Sequence, residues 1–136
     1  MRRALIDTGA IVAIVVQPDV HHRAASTFLK KWLAERNVFV LSDFVFVETM
    51  TLIKRRHGAQ AALRIGRELR QNPVYLWTAF TPELERETWA VFQKYEDKEW
   101  SYTDCALLVL SQQLKIAEVF AFDEHFKQMP GVTRLP

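Results

Sequence analysis

The sequence predicts an α/β fold, a three-layer α/β/α sandwich around a mostly parallel central sheet of four or five strands. Three observations lead there. Short runs rich in Val, Phe and Leu alternate with longer stretches of helical periodicity along the whole chain. Those short runs carry few polar residues, as strands covered on both faces do. Pro and Gly are sparse and fall at the seams, with no linker, repeat or low-complexity segment.

The elements follow in order. "RALID" (Arg3 to Asp7) reads as a short buried strand, and "TGAIVAIVV" begins a helix with Thr8 near its start. "QPDVHH" is a turn. His22 to Arg36 sets Ala25, Phe28, Leu29 and Trp32 at helical spacing. "VFVL" (Val38 to Leu41) is the second strand. Ser42 or Asp43 then caps a helix running to about His57 and closed by Gly58. Another helix, Ala59 to Gln71, ends at Pro73, and Val74 to Phe80 forms the third strand. Thr81 as N-cap, Pro82 at the first position and Glu85 beyond give "TPELERETWAVFQKYED" a strong helix start. "EWSYTDCALLVLS" (Glu99 to Ser111) is the next helix. "AEVFAF" (Ala117 to Phe122) is the fourth strand, ending at Asp123, and the tail "VTRLP" offers an edge strand.

The totals bound the function. The 136 residues suit one domain, spanning 1–136, with one core. At 49% hydrophobic and 25% charged, the chain is not a disordered tail. A net charge of +2 is compatible with a polyanion partner without demonstrating one. The single cysteine excludes an intramolecular disulfide and a Cys-based zinc site, and fits a reducing cytoplasm. "MRRALIDTGAIVAIVV" has the basic-then-apolar look of a secretory leader. Asp7 and Thr8 interrupt it, however, and no small-residue cleavage site follows. The apolar run Ala10 to Val16 is too short to span a bilayer. The expectation is a soluble, cytoplasmic protein with no membrane contact.

Parallel sheets bind ligands at the carboxyl ends of their strands, so the residues there matter most. Asp7 ends the first strand and Asp123 the fourth. Either one alone reads as a turn or cap residue. Glu48 lies on the stripe Leu41, Phe44, Val45, Glu48, Leu52, whose other members are all apolar. A carboxylate on such a face is costly unless it is paired, metal-bound or able to snorkel from the edge. Asp104 closes "SYTD", which fits a capping box with Ser101 as N-cap, and in isolation it reads as a cap. Together the four acids can converge on one rim, and no Lys or Arg adjoins any of them in sequence. Clustered carboxylates repel, and a divalent cation resolves the repulsion. All-oxygen ligands select Mg²⁺ or Mn²⁺, which suits displacement at phosphorus without a Ser or Cys nucleophile.

The motifs "LIDTGAIVA", "FVET", "SYTD" and "FAFDEHF" resemble the acidic quartet of PIN-domain nucleases, and most of all the toxins of VapBC-type toxin–antitoxin systems. The resemblance covers nearly the whole chain, in order. It implies a PIN-like fold and a Mg²⁺- or Mn²⁺-dependent endoribonuclease. It also implies a homodimer that a small cognate antitoxin neutralises by covering the acidic groove. Carried over, Asp7, Glu48, Asp104 and Asp123 are the catalytic metal ligands, and Thr8 and Thr103 are supporting hydroxyls. Gly9 departs from the pattern, where many relatives carry Ser or Asn.

Other residues are weaker signals. Lys54, Arg55, Arg56, Arg64, Arg67 and Arg70 form a loose basic stripe on two consecutive helices, either an RNA contact or an ordinary solvated face. His21 and His22 read as loop polarity. His125, two residues past Asp123, lies nearer the proposed rim. Cys105 reads as a small core residue, and the four tryptophans as core or interface. Two rival phosphate enzymes fit poorly. A haloacid-dehalogenase-like phosphatase wants an Asp where Gly9 stands, and a receiver domain wants an acidic pair and a late strand-end Lys. A non-enzymatic RNA- or protein-binding module, in which the acids only cap helices, stays open.

Overall fold

The computed structural model describes residues 1–136 and holds a five-stranded parallel sheet with six α-helices. The strands are β1 (Arg3–Ile6), β2 (Val38–Ser42), β3 (Tyr75–Thr78), β4 (Glu118–Phe120) and β5 (Thr133–Leu135). The helices are α1 (Thr8–Val15), α2 (His22–Ala34), α3 (Asp43–His57), α4 (Ala59–Gln71), α5 (Pro82–Lys94) and α6 (Tyr102–Leu114). A short 3-10 turn, Glu124–Lys127, follows β4, and no local pattern announces it. The tail does add an edge strand, β5, parallel to β4.

Strand order is β3-β2-β1-β4-β5, so β1 lies at the centre. From β1 the chain builds outward to β2 and β3, then crosses back to add β4 on β1's other side. That reversal opens a crevice at the carboxyl ends of β1 and β4, where sheets of this kind bind ligands. The Asp7 N–H donates to the Phe120 carbonyl at 3.0 Å and ties the two strand ends together there.

Burial explains the strands. Ala4, Leu5 and Ile6 are fully buried, as are Phe39, Leu41, Val119 and Phe120. Aromatic rings fill one region: Phe39 packs on Trp32 and Phe120, each at 5.5 Å between ring centres, and Phe28 meets Phe120 at 4.5 Å. α6 is buried without a break from Asp104 to Ser111. A helix apolar all round belongs inside a domain, and burying each Leu or Val contributes roughly 1.5–3 kcal/mol. Cys105 sits in this run and is core, as expected.

Sequence punctuation sets several ends. The Ser42 Oγ accepts from the Phe44 N–H, so Ser42 caps α3. Asp43 reaches further. Its carboxylate accepts from the Phe80 N–H at 3.0 Å, joining α3 to the segment after β3. Thr81 caps α5 through the Leu84 N–H at 3.1 Å. Gly58 closes α3 at φ 90, which only glycine adopts at little cost. Gly66 serves packing instead, since a Cβ there would stand 2.9 Å from Met50 Sδ.

Some boundaries differ from expectation. β3 and β4 are shorter than Val74–Phe80 and Ala117–Phe122, because ladder hydrogen bonds require a neighbouring strand of matching reach. α2 stops at Ala34, and Arg36 takes a left-handed φ of 59 to turn into β2. α5 ends at Lys94, short of Asp97, and α6 starts at Tyr102 and runs on to Leu114. Trp32 and Trp100 are core, whereas Trp77 and Trp89 are exposed. No helix is long and apolar enough to cross a membrane.

Candidate active site

A cleft of about 500 Å³ opens at the crevice between β1 and β4. Asp7, Glu48, Asp104 and Asp123 all line it, each delivered by a different segment. Asp7 follows β1 directly and starts α1. It takes the extended conformation of an N-cap, yet its side chain makes no capping hydrogen bond. The residue is 8% exposed. Burial pushes its pKa up to about 7, and the charges of Asp104 and Glu48 push in the same direction. The Thr8 and Gly9 N–H groups oppose the shift without cancelling it.

Asp104 caps its helix and also faces the cleft. The Ser101 N–H donates to Asp104 Oδ2 at 2.9 Å, and the Asp104 N–H donates to Ser101 Oγ at 3.0 Å, completing the capping box. The same residue lines the cleft. Asp123 caps the 3-10 turn, accepting from the His125 N–H at 2.9 Å, and is exposed. His125 lies between the two acids. Its Nδ1 donates to Asp104 Oδ2 at 2.9 Å and stands 3.2 Å from Asp123 Oδ1. The Asp104 hydrogen bond holds the His125 pKa above its ordinary value; partial burial opposes this, and the Asp123 charge adds to it.

Glu48 corrects one step of the reasoning from sequence. The buried face of α3 is Val45, Thr49 and Ile53, and Glu48 is exposed one step round the helix. Its stripe borders the cleft instead of entering the core: Leu52 is itself a cleft residue. Glu48 therefore escapes the burial cost that singled it out, while its charge still reaches Asp7 across the cleft.

The two hydroxyls separate. Thr8 lines the cleft and is buried; its Oγ1 accepts from Thr49 Oγ1 at 3.4 Å, a bond that joins α1 to α3. Thr103 is half-buried and lies outside the cleft lining, one step round α6 from Asp104. Gly9 also lines the cleft, and a Cβ there would stand 3.5 Å from Asp7 Oδ2. That is ordinary van der Waals distance, so the backbone here leaves room for a side chain.

The basic residues do not form one stripe. Arg56 lines the acidic cleft. Lys54, Arg67 and Arg70 edge a separate apolar groove between α3 and α4, with Phe46 and Met50. Arg64 borders a third hollow near Pro18, and Arg55 is exposed outside all three. Helix rotation of about 100° per residue disperses neighbours that look adjacent in sequence.

Two further residues join the cleft without a signal in the sequence. Asp19 and His21 both line it, so His21 is more than loop polarity. The Asp19 carboxylate accepts from the His21 N–H at 2.8 Å, and the His21 ring lies flat on Phe122 with centres 4.5 Å apart. Loop residues of this kind carry no periodicity, so nothing local marks them.

The residues fit a divalent cation on chemical grounds. Asp7 is buried, has no cationic partner and is held partly neutral by burial beside its acidic neighbours. Asp104, Asp123 and His125 offer ligand atoms within 4.8 Å of one another.

Comparison with known proteins gives the chain's family. A family model described as PIN domain matches residues 4–132. The 23S rRNA-specific endonuclease VapC20 of Mycobacterium tuberculosis is 27% identical over 121 residues, covering 89% of each chain. Ribonuclease VapC26 of the same species is 26% identical over 126 residues, covering 92% of this chain and 90% of the relative. The crystal structure of VapC20, described as a sarcin-ricin loop cleaving toxin, matches with a TM-score of 0.84 and 25% identity, covering 93% of this chain and 95% of its own. A toxin–antitoxin complex from Klebsiella pneumoniae matches with a TM-score of 0.66 and 21% identity, covering 96% and 95%.

Proposed function

The chain belongs to the PIN-domain family, and on that premise we propose that it is a metal-dependent endoribonuclease, the toxin of a toxin–antitoxin pair. The observation that carries the reading is the convergence of Asp7, Glu48, Asp104 and Asp123 on one cleft at the β1–β4 crevice. Asp7, Asp104 and Asp123, with Glu48 across from them, would hold Mg²⁺ or Mn²⁺. When bound, such an ion polarises the scissile phosphate and lowers the pKa of a water molecule. The reaction is hydrolysis: a water oxygen joins phosphorus, and one P–O ester bond breaks.

The chain's own residues set the stage. Asp7 and Asp104 are presented from helix starts and Glu48 from the body of α3, which limits their reorganisation during the reaction. Arg56 at the cleft wall supplies a positive charge for an RNA phosphate. RNA is the substrate favoured by the relatives, whose names specify ribonuclease activity and, for VapC20, 23S rRNA. A cognate antitoxin and a homodimer complete the proposal, in the cytoplasm.

A second reading has one observation in its favour. Asp104 and Asp123 do cap backbone N–H groups, as in a module without enzymatic activity. Capping leaves Asp7 unexplained, because the N–H groups of Thr8 and Gly9 do not offset the burial and like charges that raise its pKa to about 7. The test uses purified protein on total RNA containing 23S rRNA, with Mg²⁺, Mn²⁺ or chelator. Metal-dependent cleavage lost in both Asp7→Asn and Asp104→Asn is expected. Unchanged cleavage in both variants would sink the mechanism, and absence of any metal binding would favour the module.

A further inference from the structure

We infer that His125 is an inner-sphere ligand of the cation in this cleft, donating Nδ1 alongside Asp104 and Asp123, and that it biases the site toward Mn²⁺ over Mg²⁺. The inference rests on the metal-dependent reading above and adds a nitrogen to a donor set otherwise made of carboxylate oxygens.

Three features carry it. The first is spacing. His125 Nδ1 lies 2.9 Å from Asp104 Oδ2 and 3.2 Å from Asp123 Oδ1. Adjacent corners of an octahedron with bonds of about 2.1 Å stand about 3 Å apart. The two separations made by His125 thus match edges of such a polyhedron, and all three donor atoms lie within 4.8 Å of one another. The second is rigidity. Asp104 is fixed by its capping box, and Asp123 by the His125 N–H, so two of the three donors cannot swing away freely. The third is Asp7. It is 8% exposed, makes no capping hydrogen bond and lines the same cleft. A buried carboxyl left without a cationic partner points to a cation that the protein's own side chains do not supply.

The ring orientation fits the role. In the metal-free protein Nδ1 carries its proton toward the two carboxylates, and on loading that proton leaves for solvent while the lone pair takes its place. Mg²⁺ strongly prefers oxygen and keeps its waters. Mn²⁺ accepts imidazole more readily, so one nitrogen donor separates the two ions.

The experiment binds Mn²⁺ to the RNA-free protein and records its pulsed paramagnetic resonance spectrum for coupling to ¹⁴N. Calorimetric titration of Mn²⁺ and Mg²⁺ runs alongside, on wild type, His125→Ala and His125→Gln. The Gln variant keeps a hydrogen-bond donor for Asp104 and guards against loss of the fold. His21→Ala controls for the other cleft imidazole. Nitrogen coupling is expected in wild type and His21→Ala and absent from both His125 variants. Mn²⁺ affinity is expected to fall tenfold or more in those variants, with Mg²⁺ affinity changing less than threefold. Mn²⁺ bound without nitrogen coupling, or equal losses for both ions, overturns the role of His125 and leaves the four-acid reading standing. No Mn²⁺ binding by wild type overturns both.

Discussion

Replacing Asp7 with Asn is expected to stabilise the metal-free protein while abolishing its activity. The Asp7 pKa rises from 3.8 to about 7 on folding. A raised carboxyl is stabilising only while it stays protonated. Its contribution is whole below the unfolded value, near pH 4, and drains away as pH climbs toward 7. Three pH units at about 1.4 kcal/mol each put the loss at roughly 4 kcal/mol by pH 8 and about 2 kcal/mol at pH 5. Asn carries no charge, shares the N-cap preference of Asp and keeps the entry into α1. The Asn variant then exceeds wild type in unfolding free energy, with a gap that widens from pH 5 to pH 8. Urea unfolding of both proteins in chelator at the two pH values measures this. Added Mn²⁺ then stabilises wild type more than the variant, because the ion offsets the charge that Asn lacks. A gap that does not change with pH, or an Asn variant weaker than wild type at pH 8, refutes the account of Asp7 as a strained, unpartnered acid.

Other expectations follow from the same geometry. Asp104→Asn keeps an oxygen for the Ser101 N–H, so stability shifts by less than about 1 kcal/mol, while RNA cleavage falls by about 10²-fold or more; a matched cleavage and urea series reads both. Arg56→Ala weakens RNA binding and lowers the salt slope by about one, whereas Arg55→Ala, outside the cleft, leaves the slope unchanged in the same titrations. Phe39→Ala removes a fully buried ring that packs on Trp32, Tyr75 and Phe120. It costs about 3–5 kcal/mol by urea unfolding.

Much of the fold was legible because its signals are local. Thr81–Pro82 announced α5, Gly58 announced the end of α3, and the apolar run after Asp104 announced a buried helix. The acids were legible for a different reason. Asp7, Asp104 and Asp123 stand where a strand ends or a helix begins, and those junctions show in the sequence even when their spatial neighbours do not. Glu48 was singled out by an argument that the structure does not support, since it faces the open cleft and not the core. The basic residues look like one group along the chain and belong to separate surfaces, because helix rotation governs direction while sequence records only order.

By itself the sequence determined the order of elements, the parallel sheet they imply and the four carboxylates that the sheet brings to one rim. Periodicity, capping and turn chemistry act over a few residues, so they can be followed along the chain. Only the tertiary structure decided strand order, and with it the crevice between β1 and β4. That reversal brings Asp7 into one cleft with Asp104 and Asp123, from the far end of the chain. It also decided that Asp7 would be buried without a cationic partner, that His125 would stand between two acids, and that Asp19 and His21 would join the cleft. Those facts are electrostatic and depend on distances through space, which no local pattern encodes.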